Sequence, residues 1–367
     1  MNPRSLIGKL RGMKPQLEAT LLPDFFLDHF LPYESPLDVF IDDVSKIASH
    51  GGGNIPFKRL VLSQGGNATN TALALARLDA KVHLIVRTDG LGLVLLRHFF
   101  RGSGADLSHV KTDGRLASTI ALEVEREGKL ANVMINDSGS VVDFGFDTLT
   151  HGDLDVISNS NFVGIFNWTQ NLEGGKLLLG LLHHLEKNRA VKTFFDSGDP
   201  TPRSSERGIL MNDLMRSKRL DVFSLNENEA VQFALSLDPK LSLERRVNTP
   251  GAALTCARFI HDKLGVQVDL HTKDYAVSLV RGEVSFAPSF IVPIRRSTGA
   301  GDAWNAGNIY GRACDLAPDE RLLLANAVAG YYISSPYARH PSRRDLSSFL
   351  ERTKVRNIPK QPKNTVR

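Results

Sequence analysis

Residues 295–313 read RRSTGAGDAWNAGNIYGRA. Three small residues, Gly299, Ala300 and Gly301, stand before an acid, Asp302, and the run that follows has helical character. A turn of small residues lets backbone N–H groups approach a ligand without side-chain obstruction. At a helix N-terminus those groups lack intrahelical acceptors, and the helix dipole adds partial positive charge. The stretch therefore predicts an anion pocket at a strand-to-helix turn. Asp302 alone has two readings, a helix cap or a catalytic base.

Two other stretches repeat the pattern. In QGGNATNTALALARL (64–78), Gly65 and Gly66 again open a helix, with Asn67 and Asn70 in its first turn. Side-chain amides there can reach a polyhydroxy ligand. In SLNENEA (224–230), Asn226 and Glu229 are spaced i, i+3 and can face one site. Such a pair can organise magnesium-bound water, or can be a solvated helix start with acids near the positive dipole end.

Around these turns, strand-like and helix-like segments alternate. Strands are predicted at 83–86, 161–168, 192–196, 220–226, 266–272 and 275–280. Helices are predicted at 68–78, 174–188, 227–237, 256–264, 302–315 and 319–335. Apolar strands alternating with helices imply an α/β fold, a doubly wound and mainly parallel sheet with helices on both faces. Residues 33–62 and 115–142 break the rhythm and read as antiparallel material, with EREGK (125–129) as a hairpin turn. They predict a small β lid on a single domain spanning 20–350. Residues 351–367 read as a basic, peripheral C-terminal tail.

Composition narrows the function class. The net charge of +5 comes from scattered lysines and arginines, with no basic stripe interleaved with aromatics. An anionic small substrate suits that balance, and nucleic acid is not indicated. Cys256 and Cys314 have no CxxC partner, so reduced structural thiols are expected. No apolar run reaches eighteen residues, so no membrane span is predicted and a cytoplasmic setting is expected. His83, His183 and His184 read as structural or surface residues.

Taken together and in this order, the three turns resemble the PfkB, or ribokinase-like, family of carbohydrate kinases. Gly65, Gly66, Asn70 and Ala72 match its N-terminal signature, Gly299 to Asp302 its C-terminal one, and Asn226 to Glu229 the element between. The resemblance implies transfer of a phosphoryl group from a nucleotide to a sugar hydroxyl, with ATP as the usual donor, ADP or another donor as alternatives, and Mg2+ as cofactor. Asp302 would be the general base, and the N–H groups beside Gly299, Ala300 and Gly301 would stabilise the moving group. Asp28, with Gly66, Asn67 and Asn70, would hold the acceptor, and Asp24 is the weaker choice for that first acid. Asn226 and Glu229 would hold the metal through water. Asn226, Thr272, Lys273 and Asn326 would line the nucleotide site. Such lids often pair two copies, so a homodimer through the lid is a further expectation. A nucleoside or a sugar phosphate is an alternative acceptor, and a catalytically silent binding protein is the alternative of a different class.

The chain departs from that pattern in three places. Arg296, Ser297 and Thr298 stand where the family usually has an acid and a threonine near a monovalent-cation site. Arg295 or Arg296 would replace that cation, meet a phosphate, or simply be solvated. The turn Thr272–Ala276 lacks the family's glycines, and Arg87 replaces a glycine.

Overall fold

In chain order the strands are β1 (Glu18–Leu22), β2 (Phe26–Pro36), β3 (Val61–Gly65), β4 (Lys81–Leu84), β5 (Ala117–Arg126), β6 (Lys129–Asp137), β7 (Phe162–Phe166), β8 (Lys192–Asp196), β9 (Val222–Leu225), β10 (Gln267–His271), β11 (Tyr275–Val280) and β12 (Glu283–Pro288). The computed structural model describes residues 3–12, 16–57, 59–126, 129–241, 250–296 and 298–357. Eight strands form one sheet in the order β12-β11-β10-β9-β8-β7-β1-β4. From β10 to β4 all neighbours are parallel, while β11 and β12 extend the other edge antiparallel. β7 and β9 are buried at every position, as a strand covered on both faces must be.

Successive strand residues feed opposite layers. Phe194 joins one apolar cluster and Phe195 the other. The first layer holds α1 (Pro3–Gly12), α3 (Asn67–Arg77), α4 (Gly90–Phe99), α10 (Ala300–Ala313), α11 (Pro318–Ser334) and α12 (Arg343–Arg352). The second holds α5 (His151–Asn159), α6 (Gly174–His184), α7 (Arg207–Ser217), α8 (Glu227–Leu237) and α9 (Pro250–Leu264). Helices on both faces of a mainly parallel sheet make the doubly wound α/β architecture expected from the sequence.

The second sheet, β3-β2-β5-β6, differs in detail from the expected lid. It begins at Phe26, and β2 pairs parallel with β5 rather than antiparallel. Residues 37–49, read as part of an extended segment, form helix α2 (Leu37–Ser49). Leu37, Phe40, Val44 and Ile47 recur at helical spacing, with Asp38 in the first turn and Lys46 in the last, as the dipole favours. The β5–β6 hairpin pairs Arg126 with Lys129; Glu127 and Gly128 of the expected turn lie outside the described residues. The start of the C-terminal tail is stitched to the domain. Ile291 N donates to Lys354 O at 2.8 Å and Arg356 N to Ser289 O at 2.7 Å. Residues 358–367 lie outside the described residues.

A buried ion pair fixes α10, which carries Asp302, against the sheet. Asp269 on β10 is fully buried and accepts from Arg321 Nη1 and Asn308 Nδ2, each at 2.8 Å. Burial works against the Asp269 carboxylate, but the Arg321 and Arg312 charges beside it hold it well below the usual carboxylate range. Removing one partner leaves an uncompensated buried charge. Asp269→Ala is expected to cost about 3–5 kcal/mol in urea unfolding; a loss below about 1 kcal/mol would contradict this role for the pair.

Candidate active site

The two glycine turns meet beyond the C-terminal ends of the parallel strands, where such sheets take ligands. Gly299 precedes α10 with φ +84°, and a Cβ there would lie 2.5 Å from Tyr332 Oη. Gly66 precedes α3 with φ +91°, and its Cβ would lie 2.8 Å from Asp24 O. Both positions therefore require glycine. The first-turn N–H groups of Ala300, Gly301 and Asp302 have no intrahelical acceptors and open toward a cavity of about 530 Å³.

Asp302 joins the two helix starts. Its carboxylate accepts from Asn67 Nδ2 at 2.8 Å and from Asn70 Nδ2 at 2.9 Å, and it is 6% exposed. Burial, with the like charges of Asp196 and Asp24, pushes it well above the usual carboxylate range, against the pull of the two amides. It is therefore no simple cap, since the amides of another helix hold it and its own helix is capped by Gly299. Asn70 Oδ1 is buried without a partner, an acceptor that a ligand hydroxyl would satisfy.

The two candidates for the acceptor-binding acid, Asp28 and the weaker Asp24, are placed differently. Asp24 is fully buried and caps α3 from outside, accepting from Asn67 N and Ala68 N at 2.8 Å and from Asn167 Nδ2 at 2.7 Å. Asp28 instead faces the cavity. On the inner face of the second sheet Asp28 pairs with Thr119, and Thr119 with Asn136, so three polar side chains form one row of the cavity roof. A Cβ at Gly65 would lie 2.2 Å from the Asp28 carboxylate, so a side chain there would displace that acid. Burial raises Asp28 to about 7, partly offset by the Thr119 hydroxyl and the Arg296 charge.

Asn226 and Glu229 both line the cavity, and they also form a reciprocal cap of α8. Asn226 N and Nδ2 donate to the two Glu229 carboxylate oxygens at 2.8 and 2.7 Å. Glu229 is buried rather than solvated, so the helix start is a sheltered cap that also borders the cavity. Burial pushes Glu229 well up, and Asp196 and Asp199 push it further. Sequence reasoning missed these two acids, although Asp196 ends β8, a strand it did find, and Asp199 lies three residues on. Asp196 accepts from Asn305 Nδ2 at 2.6 Å, Asp199 from Asn228 Nδ2 at 2.8 Å, and both face the cavity. Thr119, Asn136 and His271 were missed as well. His271 tilts against Trp304 with ring centroids 4.9 Å apart, and burial lowers it to about 4, so it is neutral at pH 7.

Three expected nucleotide residues do not reach this cavity. Asn326 is buried, accepting from Trp304 Nε1 and donating to Ala287 O and Pro288 O. Its hydrogen-bonding capacity goes into joining α10, α11 and β12. Thr272 Oγ1 donates to Tyr275 O and accepts from Asp274 N and Tyr275 N, closing the turn that lacks glycine. Lys273 is exposed on that turn, its N–H donating to Glu227.

The arginines ahead of the anion turn separate. Arg295 is exposed, while Arg296 is 9% exposed and lies under the roof rather than in the cavity lining. Its guanidinium sits 4.4 Å from the centroid of Phe30 and acts electrostatically on Tyr332, Asp28 and Glu123. Beside it, Asn132 Nδ2 of β6 donates to Thr298 Oγ1 at 2.7 Å. These contacts tie the roof to the segment that enters the anion turn; Ser297 lies outside the described residues. Arg87 is also elsewhere, paired with Asp113 at 3.2 Å. A desolvated cation–π contact such as Arg296 on Phe30 is worth about 2 kcal/mol. Arg296→Gln is expected to raise amide exchange in β2 and β5 roughly tenfold and leave β7 to β9 unchanged; unaltered exchange in β2 and β5 would contradict the tie.

Among the described residues, five acids line the cavity, Asp28, Asp196, Asp199, Glu229 and Asp302, and no lysine or arginine does. Known proteins place this arrangement. Residues 38–345 match the model of the "pfkB family carbohydrate kinase". A ribokinase of Haemophilus influenzae is 24% identical over 297 residues, covering 79% of this chain and 88% of that protein. The Arabidopsis thaliana ribokinase solved with ribose and ATP superposes with a TM-score of 0.69 at 18% identity, over 92% of this chain and 99% of that one. The 2-dehydro-3-deoxygluconokinase of Thermotoga maritima gives 0.72 at 14% identity, over 91% and 99%. With a family match over most of its length, the chain belongs to the pfkB family of carbohydrate kinases.

Proposed function

We propose that this phosphotransferase moves the γ-phosphoryl group of ATP to a hydroxyl of an unphosphorylated sugar, with Asp302 as general base. The observation that carries the reading is Asp302 itself, a buried carboxylate at a helix N-terminus whose free N–H groups face the same cavity. Asp28, Thr119, Asn136 and Asn70 would accept and donate to acceptor hydroxyls from the roof and floor. They would bring one hydroxyl against Asp302. Asp302 would take its proton as the oxygen attacks phosphorus. The raised proton affinity of Asp302 suits a base that must hold that proton in the transition state. The N–H groups of Ala300, Gly301 and Asp302 would stabilise charge on the transferring group, a contribution on the order of 3 kcal/mol per donor.

The residues fit a hydrated Mg2+. A polyphosphate entering a cavity lined by five acids and no fixed cation needs its charge offset. Asp196, Asp199, Asn226 and Glu229 would hold the ion through water, since Asn226 already occupies both Glu229 oxygens. When bound, it would neutralise phosphate charge during transfer. The ribose and ATP held by the Arabidopsis ribokinase support the choice of donor and acceptor class. A sugar phosphate is the weaker choice of acceptor, because the three arginines that motivated it, Arg87, Arg295 and Arg296, are not among the described lining residues. A nucleoside remains the second reading, favoured by the apolar roof residues Phe26 and Met134. A cytoplasmic setting belongs to the same reading, on account of its ATP. None of the described helices is long and apolar enough to cross a membrane.

A second copy of the chain would cover the outer face of the roof. Leu62, His29, Ile120 and Ile135 form one cross-strand row there. Leu62, Ile120 and Ile135 are 48%, 43% and 59% exposed. A contiguous apolar face of this kind marks an interface.

Three measurements test this reading. A screen crossing ATP, GTP, CTP and ADP with free sugars, nucleosides and sugar phosphates is expected to give a phosphorylated free sugar from ATP; turnover of none, or only of sugar phosphates, would refute it. Asp28 accepts hydroxyl donors more strongly, and through both oxygens, as the carboxylate, and burial raises it to about 7. Acceptor KM is therefore expected to rise as pH falls through about 7, and to lose that dependence in Asp28→Asn. Light scattering is expected to give a dimer that Ile120→Asp dissociates; a monomeric wild type would exclude the pairing.

A further inference from the structure

On the sheet edge, away from the cavity, two histidines and an acid converge. The segment after α4 runs along the free edge of β4, with bridges at His83–Asp106 and Arg87–Lys111. One ligand atom each from His83, Asp106 and His109 lies within 4.8 Å of the others. None of the three lines the cavity. His83 turns Nδ1 to Asp106 Oδ2 and Nε2 to Glu18 Oε1, both at 2.8 Å. His109 turns Nδ1 to Asp153 Oδ1 at 2.8 Å, which leaves its Nε2 for a ligand. The rings meet edge to face with centroids 6.1 Å apart.

We propose that His83, Asp106 and His109 bind a first-row divalent metal ion, with zinc as the representative, and that the ion clips the sheet edge together. Three features carry the assignment. The donor set, two imidazoles and a carboxylate, suits zinc and its neighbours and not magnesium. Each imidazole has a carboxylate on its other nitrogen, Glu18 on His83 and Asp153 on His109. That arrangement orients metal-binding histidines and raises their basicity. The outer carboxylates are themselves held, Glu18 by Lys81 at 2.7 Å and Asp153 by Lys111 at 2.5 Å. The ion would take the place of the proton that His83 Nδ1 now shares with Asp106, so uptake would release a proton. The spacing must contract on binding, because zinc–ligand bonds of about 2.0–2.2 Å bring ligand atoms closer than 4.8 Å. Asp106 can supply the movement, with a side chain 36% exposed on a loop; water would complete the coordination. The ion would join β1, β4, the loop after α4 and α5 at one point.

The test is zinc uptake by the full chain, measured by equilibrium dialysis with metal analysis in excess Mg2+, together with thermal melting. One zinc per chain and a higher Tm in zinc are expected. His83→Gln, His109→Gln and Asp106→Asn should each abolish the uptake and the Tm rise. Asp153→Asn should weaken binding roughly tenfold or more through loss of orientation. Asp106→Asn, at an exposed loop, keeps the test valid if a histidine variant fails to fold. No stoichiometric uptake by the wild type, or uptake unchanged in Asp106→Asn and His109→Gln, would overturn the proposal and leave the cluster as ion pairs alone. The readout does not depend on kinase activity.

Discussion

Two amides of one helix hold a carboxylate of another, and the rest of the site is arranged around that contact. Asn67 and Asn70 donate to Asp302, so the first turns of α3 and α10 are locked face to face. Each helix can start there only because a glycine at positive φ precedes it, Gly66 against Asp24 and Gly299 against Tyr332. Asp24 holds α3 from behind, and the Asp269–Arg321 pair holds α10 to the sheet. The sheet supplies rigidity, the glycines supply backbone access, and the amides fix where the Asp302 carboxylate stands. Preorganisation of this kind is what a reaction limited by positioning and charge requires.

The electrostatics follow from the same arrangement. The cavity gathers carboxylates that burial and mutual repulsion push upward, Glu229 and Asp302 most of all. Fixed positive charge is kept just outside. Arg296 sits beneath the roof, near enough to favour ionised Asp28 but absent from the lining. A site built so is poor at holding naked phosphate. It is suited to a nucleotide that arrives with its own cation and to an acceptor that brings hydroxyl groups. The roof strands are tied to the anion turn through Arg296 and the Asn132–Thr298 hydrogen bond.

Much of this was legible in the sequence, for identifiable reasons. Glycine turns ahead of small-residue helices are local patterns, and they led to Gly66, Asn67, Asn70, Gly299 and Asp302. The apolar strands β7 to β11 could be read because each forms a short, apolar run. Residues recruited across the fold could not be read this way. Thr119 and Asn136 face the cavity only because β5 and β6 pair in register with Asp28. Asp196 and Asp199 looked like an ordinary strand end. Asn326 shows the opposite limit, since sequence does not reveal that its amide engages Trp304 and two backbone carbonyls. Helix α2 was hidden because its apolar face is only partly covered, so its context resembled the neighbouring strands. Arg296 could be recognised as a departure but not located, because its place depends on Phe30 and Tyr332, both distant in sequence.

The central claim is that Asp302 is the proton acceptor rather than a cap. Asp302→Asn keeps the shape and removes the base. Steady-state turnover paired with calorimetric titration of acceptor and nucleotide separates chemistry from binding. The account predicts a loss in kcat of roughly 10²–10⁴-fold with both affinities near those of the wild type. Turnover close to wild type in that variant would contradict it.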